Sequence, residues 1–268
     1  MMADGPSEDT LEMKAEQIKS SRLEVDGSVA LLTLRVPPVN ALDENALGEL
    51  AAAVIEVEEN DDIRSLIIAS GIDGIFCAGG DLKYWPRAYP GEASVVSEAG
   101  RNVFARVEQL TKPSLAAIRG RVIGDGLSLA LACDIRFASP DATFRLPELD
   151  YGFIPGWGTI GRLVDVIGKA SATELLLLGE ETGAIRAQAF GLVNRVLSPE
   201  ELMPAARACA EKLAAKPPMA VRCAKAALRG DHPDQLRRRS DWEVGCFSEV
   251  WGGREWKEGI EKLWRARS

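Results

Sequence analysis

Residues 111–155 read TKPSLAAIRGRVIGDGLSLALACDIRFASPDATFRLPELDYGFIP, and the rest of the chain is organised around them. The run 113–118 is short and apolar, as a buried strand is. Glycines predict a turn over 120–126, and 127–133 then has the spacing of a buried helix. A glycine-flanked turn that opens a helix leaves several N–H groups without intrahelical acceptors, with the positive end of the helix dipole behind them. Such a place stabilises an anion. Ser128 lies on that helix, and Glu148 follows twenty positions later among apolar and small residues. Anion-stabilising amides with a carboxylate nearby are the parts needed to move protons beside a carbonyl.

Working outward, strands alternate with helices. The segments 23–25 and 29–35 read as strands joined by the hairpin turn at Asp26 and Gly27. A helix is predicted from an Asp43 cap to about residue 59, with apolar residues at 47, 50, 54 and 57. SLIIA at 65–69 is a continuous apolar strand, followed by a loop and a helical start near Leu82. A helix is expected over 92–110, strands over 135–138, 141–144 and 193–196, and helices over 160–166, 171–178 and from 187. Beyond residue 199 only helices are predicted: 199–215, 217–229, 233–248 and 254–266. The expected organisation is a poorly ordered lead-in over 1–20, an α/β core with parallel strands over 21–198, and a helical region over 199–268 that packs on a neighbouring subunit.

The chain has 268 residues, 46% hydrophobic and 27% charged, with a net charge of −8. These are ordinary values for a soluble globular domain. The negative balance weighs against nucleic acid as a partner, because phosphate backbones need a basic surface. Cys77, Cys133, Cys209, Cys223 and Cys246 show no C-x-x-C spacing and read as reduced thiols. The single histidine, His232, makes an imidazole-built metal site unexpected. No apolar run reaches the ~20 residues of a membrane span. The acidic N-terminus resembles neither a secretory signal nor an Arg-rich transit peptide, so a cytoplasmic location is expected.

Several motifs are decoys. Gly156, Gly158 and Gly161 match the dinucleotide fingerprint, with Glu180 and Glu181 about 20 residues on, but no β-branched strand precedes them. A glycine-rich turn that enters a helix and lines a pocket is the better reading. Ser128 lacks the second glycine of a nucleophile elbow, and His232 is too remote to place it in a triad. Cys77 as a nucleophile has the same difficulty. Arg237, Arg238 and Arg239 read as a solvated helix face.

Two loops are more informative. IFCAGGDL at 75–82 follows one apolar strand, and RVIGDG at 121–126 follows another. In a parallel sheet such loops lie at the same edge, where ligands bind. Two amides converging there on one oxygen would form an oxyanion hole.

Together with PPVNAL at 37–42, the 112–138 block, ATFRLPELDYGFIPGWG at 142–158 and GLVNRV at 191–196, these loops resemble the enoyl-CoA hydratase/isomerase (crotonase) family over nearly the whole chain. The resemblance implies a spiral of ββα units, a C-terminal α-helical trimerisation region, acyl-CoA thioesters as substrates and no cofactor. It implies a trimer or a dimer of trimers. It puts the oxyanion amides at Gly80 and Asp125. Ala41, Ala78, Asp81, Leu82, Val122, Ile123, Gly124 and Pro147 then fall along the substrate groove, with Ser128 beside it. Glu148 matches the second of a hydratase's two catalytic glutamates.

Two departures matter. Ser128 stands where a hydratase has its first glutamate, and a hydroxyl cannot exchange a proton near neutral pH. One carboxylate suffices to move a proton between two carbons, as in Δ3–Δ2 enoyl-CoA isomerases of this family. Asp125 stands where glycine is usual. Its side chain is expected to turn away and cap its own helix near Ser128. Asp125 itself, Glu92 and Glu98 are the alternatives for a second acid, with hydratase, thioester hydrolysis, decarboxylation or idle acyl-CoA binding as the competing functions. Trp85, Phe153 and Trp157 are candidates to narrow the pocket.

Overall fold

The computed structural model describes residues 20–229, 244–245, 247–248, 251 and 253–265. The predicted lead-in, His232, the arginines at 237–239, Cys246 and most of the predicted helix 233–248 lie outside these residues.

In chain order the strands are β1 (Ser21–Asp26), β2 (Val29–Leu34), β3 (Ala41–Leu42), β4 (Ser65–Ser70), β5 (Ile75–Cys77), β6 (Gly79–Gly80), β7 (Ser114–Ile118), β8 (Arg121–Ile123), β9 (Ile135–Ala138), β10 (Thr143–Arg145), β11 (Thr182–Gly183) and β12 (Arg195–Val196). The helices are α1 (Glu44–Glu59), α2 (Trp85–Ala88), α3 (Ala93–Gln109), α4 (Asp125–Ala132), α5 (Thr159–Leu178), α6 (Ala184–Ala189), α7 (Pro199–Ala214), α8 (Pro218–Arg229) and α9 (Arg254–Arg265). Among the described residues no helix is long and apolar enough to cross a membrane.

The six-stranded sheet has the order β1-β2-β4-β7-β9-β12, and a second sheet has the order β11-β10-β8-β5. Only the β1–β2 hairpin is antiparallel in the large sheet; the pairs β2–β4, β4–β7, β7–β9 and β9–β12 are parallel. Successive turns of the chain give one strand to each sheet (β4 then β5, β7 then β8, β9 then β10). This is the ββα spiral of the crotonase fold, with helices at the C-terminal end.

The apolar runs explain themselves once both faces are seen. A strand sends alternate side chains to opposite faces. Leu66 and Ile68 of β4 enter the main core, while Ile67 and Ala69 face a second cluster built with Leu202, Ala206 and Ala210 of α7. A strand covered on both faces favours apolar side chains on both, so LIIA after the buried Ser65 is continuous rather than alternating. Helix α1 buries Ala46, Leu47, Leu50, Ala53, Val54 and Val57, and the Asp43 carboxylate accepts the Ala46 amide at 2.8 Å, as predicted. Such a cap contributes about 1 kcal/mol.

The glycine-rich stretches carry more strand than the sequence reveals. The predicted loop 70–81 contains β5 and β6, and the predicted turn 120–126 contains β8. These strands have two or three residues, too few to show a period, and exist because neighbours pair with them. The helix expected near Leu82 begins instead at Trp85, where Pro86 favours the first turn. The helices predicted at 160–166 and 171–178 form α5, with non-helical backbone at Gly168 between them.

Helix α3 packs through Gly100 against the Trp157 indole, where a Cβ would overlap the ring. Gly100→Ala is expected to destabilise the protein by about 1–3 kcal/mol, despite the better helix propensity of alanine. Denaturant unfolding of the two proteins checks this.

Candidate active site

Parallel pairing of β5 with β8 matches Ile75 to Arg121 and Cys77 to Val122, and so puts the two loops at one sheet edge. Gly79 makes the approach possible. Its φ is +77°, and a Cβ there would stand 2.8 Å from the Asp125 nitrogen. Asp125 is the first residue of α4, so its N–H has no acceptor within the helix. Just past β6 the Asp81 amide donates to the Leu42 carbonyl at 3.0 Å. Backbone N–H groups alternate along a strand, so that of Gly80 points away from β3. The far end of α4 is closed by buried Arg136, which donates to the Cys133 carbonyl at 2.7 Å.

Glu148 reaches the same edge by a second pairing. β10 runs parallel to β8, with Ile123 opposite Arg145, and the Gly124 amide donates to the Arg145 carbonyl at 2.9 Å. A 3-10 turn, Glu148–Tyr151, then turns the carboxylate inward. Gly124 has φ +56°, and a Cβ on it would lie 2.6 Å from Glu148 Oε1. Glycine at 124 is therefore needed both for its backbone conformation and to leave room for the carboxylate.

Glu148 is 4% exposed, and its Oε2 has no hydrogen-bond partner. Burial, followed by the charge of Asp125, pushes its carboxyl well above the ordinary value. Burial and a neighbouring like charge are the conditions that raise a carboxyl, and they make Glu148 a candidate functional residue.

The carboxylate borders a cavity of about 70 Å³. Ala78, Gly80, Leu82, Ile123, Gly124 and Pro147 line it, together with Asp125 and Glu148. Trp85, Phe153 and Trp157 line it too. Sequence reading missed Val96, Tyr151, Phe247 and Trp251, which also border it. Val96, Phe247 and Trp251 come from distant elements and have only apolar spacing as a local signal, while Tyr151 closes the 3-10 turn that carries Glu148. Ala41 and Asp81, expected along the groove, do not border the cavity. Ala41 pairs with Gly79, and the Asp81 carboxylate accepts the Lys83 amide at 2.7 Å. Val122 is fully buried in the core. Neither Glu92 nor Glu98 borders the cavity, and both are exposed.

Two expectations about α4 need correction. Ser128 does not flank the cavity. It is fully buried, donates to the Trp157 carbonyl at 2.9 Å and accepts from Arg162 at 3.0 Å. Asp125 does not cap its own helix. Its carboxylate is enclosed by the following turn, accepting from Thr159 Oγ1 at 2.6 Å, the Trp157 amide at 3.2 Å and the Gly156 amide at 3.4 Å. Burial pushes its carboxyl up, opposed by those three bonds and by the charge of Arg162. The cap failed because the amides of the 156–159 turn lie across from Asp125, which sequence distance hides. That turn also settles the dinucleotide decoy: it enters α5 and lines the cavity.

A match to the family model for enoyl-CoA hydratase/isomerase spans residues 24–266. The chain belongs to this family. A crotonyl-CoA hydratase of Syntrophomonas wolfei is 34% identical over 239 residues, 89% of this chain and 92% of that protein. A probable enoyl-CoA hydratase of Bacillus subtilis is 36% identical over 247 residues, 91% and 95% of the two chains. An enoyl-CoA hydratase/isomerase from Xanthobacter autotrophicus Py2 superposes with a TM-score of 0.84 at 29% identity, covering 92% and 93%.

Membership does not make every polar group here reactive. Burial pushes the Cys77 and Cys133 thiols up to about 12, too high for a thiolate nucleophile at neutral pH. Peptide mapping after alkylation of native protein at pH 8 is expected to find Cys77 and Cys133 intact and Cys209 partly modified. Rapid labelling of Cys77 would contradict its placement.

Proposed function

We propose that this family member is an enoyl-CoA Δ3–Δ2 isomerase with Glu148 as its single proton shuttle. The observation that carries the reading is the unpartnered, buried carboxylate oxygen Glu148 Oε2 beside a cavity in which position 128 offers no acid. Ionised Glu148 takes a proton from C2 of a 3-enoyl thioester. The electron pair moves into the thioester carbonyl as the chain becomes a dienolate. Glu148 then returns the proton to C4, leaving the double bond at C2–C3. The Gly80 and Asp125 amides stabilise the negative oxygen, with the α4 N-terminus behind them. A carboxyl raised toward working pH serves both halves of the transfer. This chemistry needs no metal or redox cofactor.

A hydratase is the second reading. Relatives carry that name, and the charge of Asp125 acts on Glu148, so two carboxylates stand near one another. Asp125 is the weaker acid-base candidate, because both of its oxygens already accept bonds from the 156–159 turn. Incubation with a 3-enoyl-CoA and a 2-enoyl-CoA separates the readings. The isomerase reading expects rapid formation of the 2-enoyl product and little 3-hydroxyacyl product. Fast hydration of the 2-enoyl-CoA would replace it with the second.

The helical region beyond residue 199 is proposed to join copies of the chain into a trimer or a dimer of trimers. Met219 and Leu228 of α8 are 61% and 89% exposed in the single chain, which supports burial in an assembly.

A further inference from the structure

The two departures at the start of α4 act on the same piece of chain. Asp125 binds the donors of the 156–159 turn, and Ser128 binds its acceptor, the Trp157 carbonyl. Arg162 joins from the other side, donating to that carbonyl at 2.8 Å. The turn is thus held at both polar faces, by Asp125 at its donors and by Ser128 and Arg162 at its acceptor.

What the turn carries is the Trp157 side chain. Its indole is 2% exposed and donates from Nε1 to the Val96 carbonyl at 2.7 Å. It stands edge-on to Trp85 and to Phe104, with ring centroids 6.0 and 5.5 Å away. Its outer edge lies over Gly80, where a Cβ would be 3.1 Å from the ring. The indole therefore fills the space between the cavity and helix α3. The cavity it borders, about 70 Å³, has room for about five to seven water-sized groups, at roughly 10–15 Å³ each. A four-carbon acyl group with its carbonyl oxygen has five heavy atoms.

We propose that Asp125 and Ser128 are positioning residues that clamp the 156–159 turn, so that Trp157 forms the closed end of the acyl cavity and restricts the site to short acyl chains. This rests on the acyl-CoA reading above, and the test keeps the two apart because it reads binding rather than turnover. Calorimetry with the full chain compares butyryl-CoA with decanoyl-CoA. The wild type is expected to bind butyryl-CoA at least 10-fold more tightly. Trp157→Ala is expected to tighten decanoyl-CoA at least 10-fold while butyryl-CoA stays within about 3-fold, since the tail gains the space of the ring. Should that variant not fold, Trp157→Phe, with its smaller ring, is expected to move the ratio in the same direction.

The clamp is read by the same ratio, which a mere loss of stability does not move. Thr159→Val and Ser128→Ala are expected to narrow the preference for the short chain, while Thr159→Ser, which keeps the hydroxyl to Asp125, preserves it. Equal binding of the two thioesters by wild type, or an unchanged ratio in folded Trp157 variants, overturns the length limit alone. An unchanged ratio in both Thr159→Val and Ser128→Ala overturns the clamp. Binding of neither thioester overturns the acyl-CoA reading and this inference with it.

Discussion

Replacing Glu148 with Gln is expected to lower the conversion of 3-enoyl-CoA to 2-enoyl-CoA by about 10²–10⁴-fold, the usual contribution of a positioned acid-base group. The amide keeps the volume and cannot accept the proton. Binding of a saturated acyl-CoA should survive, so the loss belongs to kcat rather than to KM. The wild-type pH profile follows from the burial that pushes this carboxyl above its ordinary value of 4.5. Proton abstraction needs the ionised form, so kcat/KM rises with pH through the elevated value, and Glu148→Gln abolishes that limb. A variant retaining more than a tenth of the activity would remove Glu148 from the mechanism.

The same substitution has a signed effect on stability. Between the ordinary value and the elevated one, the folded protein holds a proton on Glu148 that the unfolded chain has released. Stability from this group is thus fully present below about 4.5 and is lost as pH rises through the folded value. Glu148→Gln should therefore melt higher than wild type at neutral pH, with the difference vanishing in acid. Thermal melts across that range read it directly.

Arg162→Ala is expected to cost about 3 kcal/mol, the lower end of the range for breaking a buried ion pair. Arg162 is 9% exposed and donates to Glu108 Oε2 at 2.9 and 3.1 Å, to Ser128 at 3.0 Å and to the Trp157 carbonyl at 2.8 Å. The low end applies because Glu108 is 30% exposed and regains water once its partner is gone. Glu108→Gln should cost less, since it leaves an acceptor for the guanidinium. Chemical denaturation of the two single variants and the double variant measures the coupling. A cost below 1 kcal/mol for Arg162→Ala would mean that Asp125 and Ser128 hold the turn without it.

Much of the architecture was legible from local pattern. SLIIA, the Asp43 cap and the apolar face of α1 each follow from rules that act over a few residues, and each was found where expected. The alternation of strands with helices gave a parallel sheet, and parallel strands bring their following loops to one edge. That rule alone joins residues 75–82 to 121–126. Of the strands of two or three residues, β10 and β12 overlap the expected 141–144 and 193–196, whereas β3, β5, β6, β8 and β11 were not legible. The glycines of β6 have no strand propensity of their own, and Val122 and Ile123 of β8, though strand formers, stand between Gly120 and Gly124 in a run too short to show a period.

The site divided along the same line. Glu148 and the two glycine loops could be named from the chain, because their chemistry depends on residue type and backbone form. The side chains of Asp125 and Ser128 could not be oriented. Both choose partners in the 156–159 turn, some thirty residues on, and which of several local acceptors and donors wins is a matter of packing. The sequence by itself determined that position 128 holds no acid and that a carboxylate follows at 148. Only the tertiary structure decided where the serine hydroxyl goes, what holds Asp125 and how much room Trp157 leaves. Hydrogen-bond competition and steric exclusion are settled by neighbours in space, which no local pattern encodes.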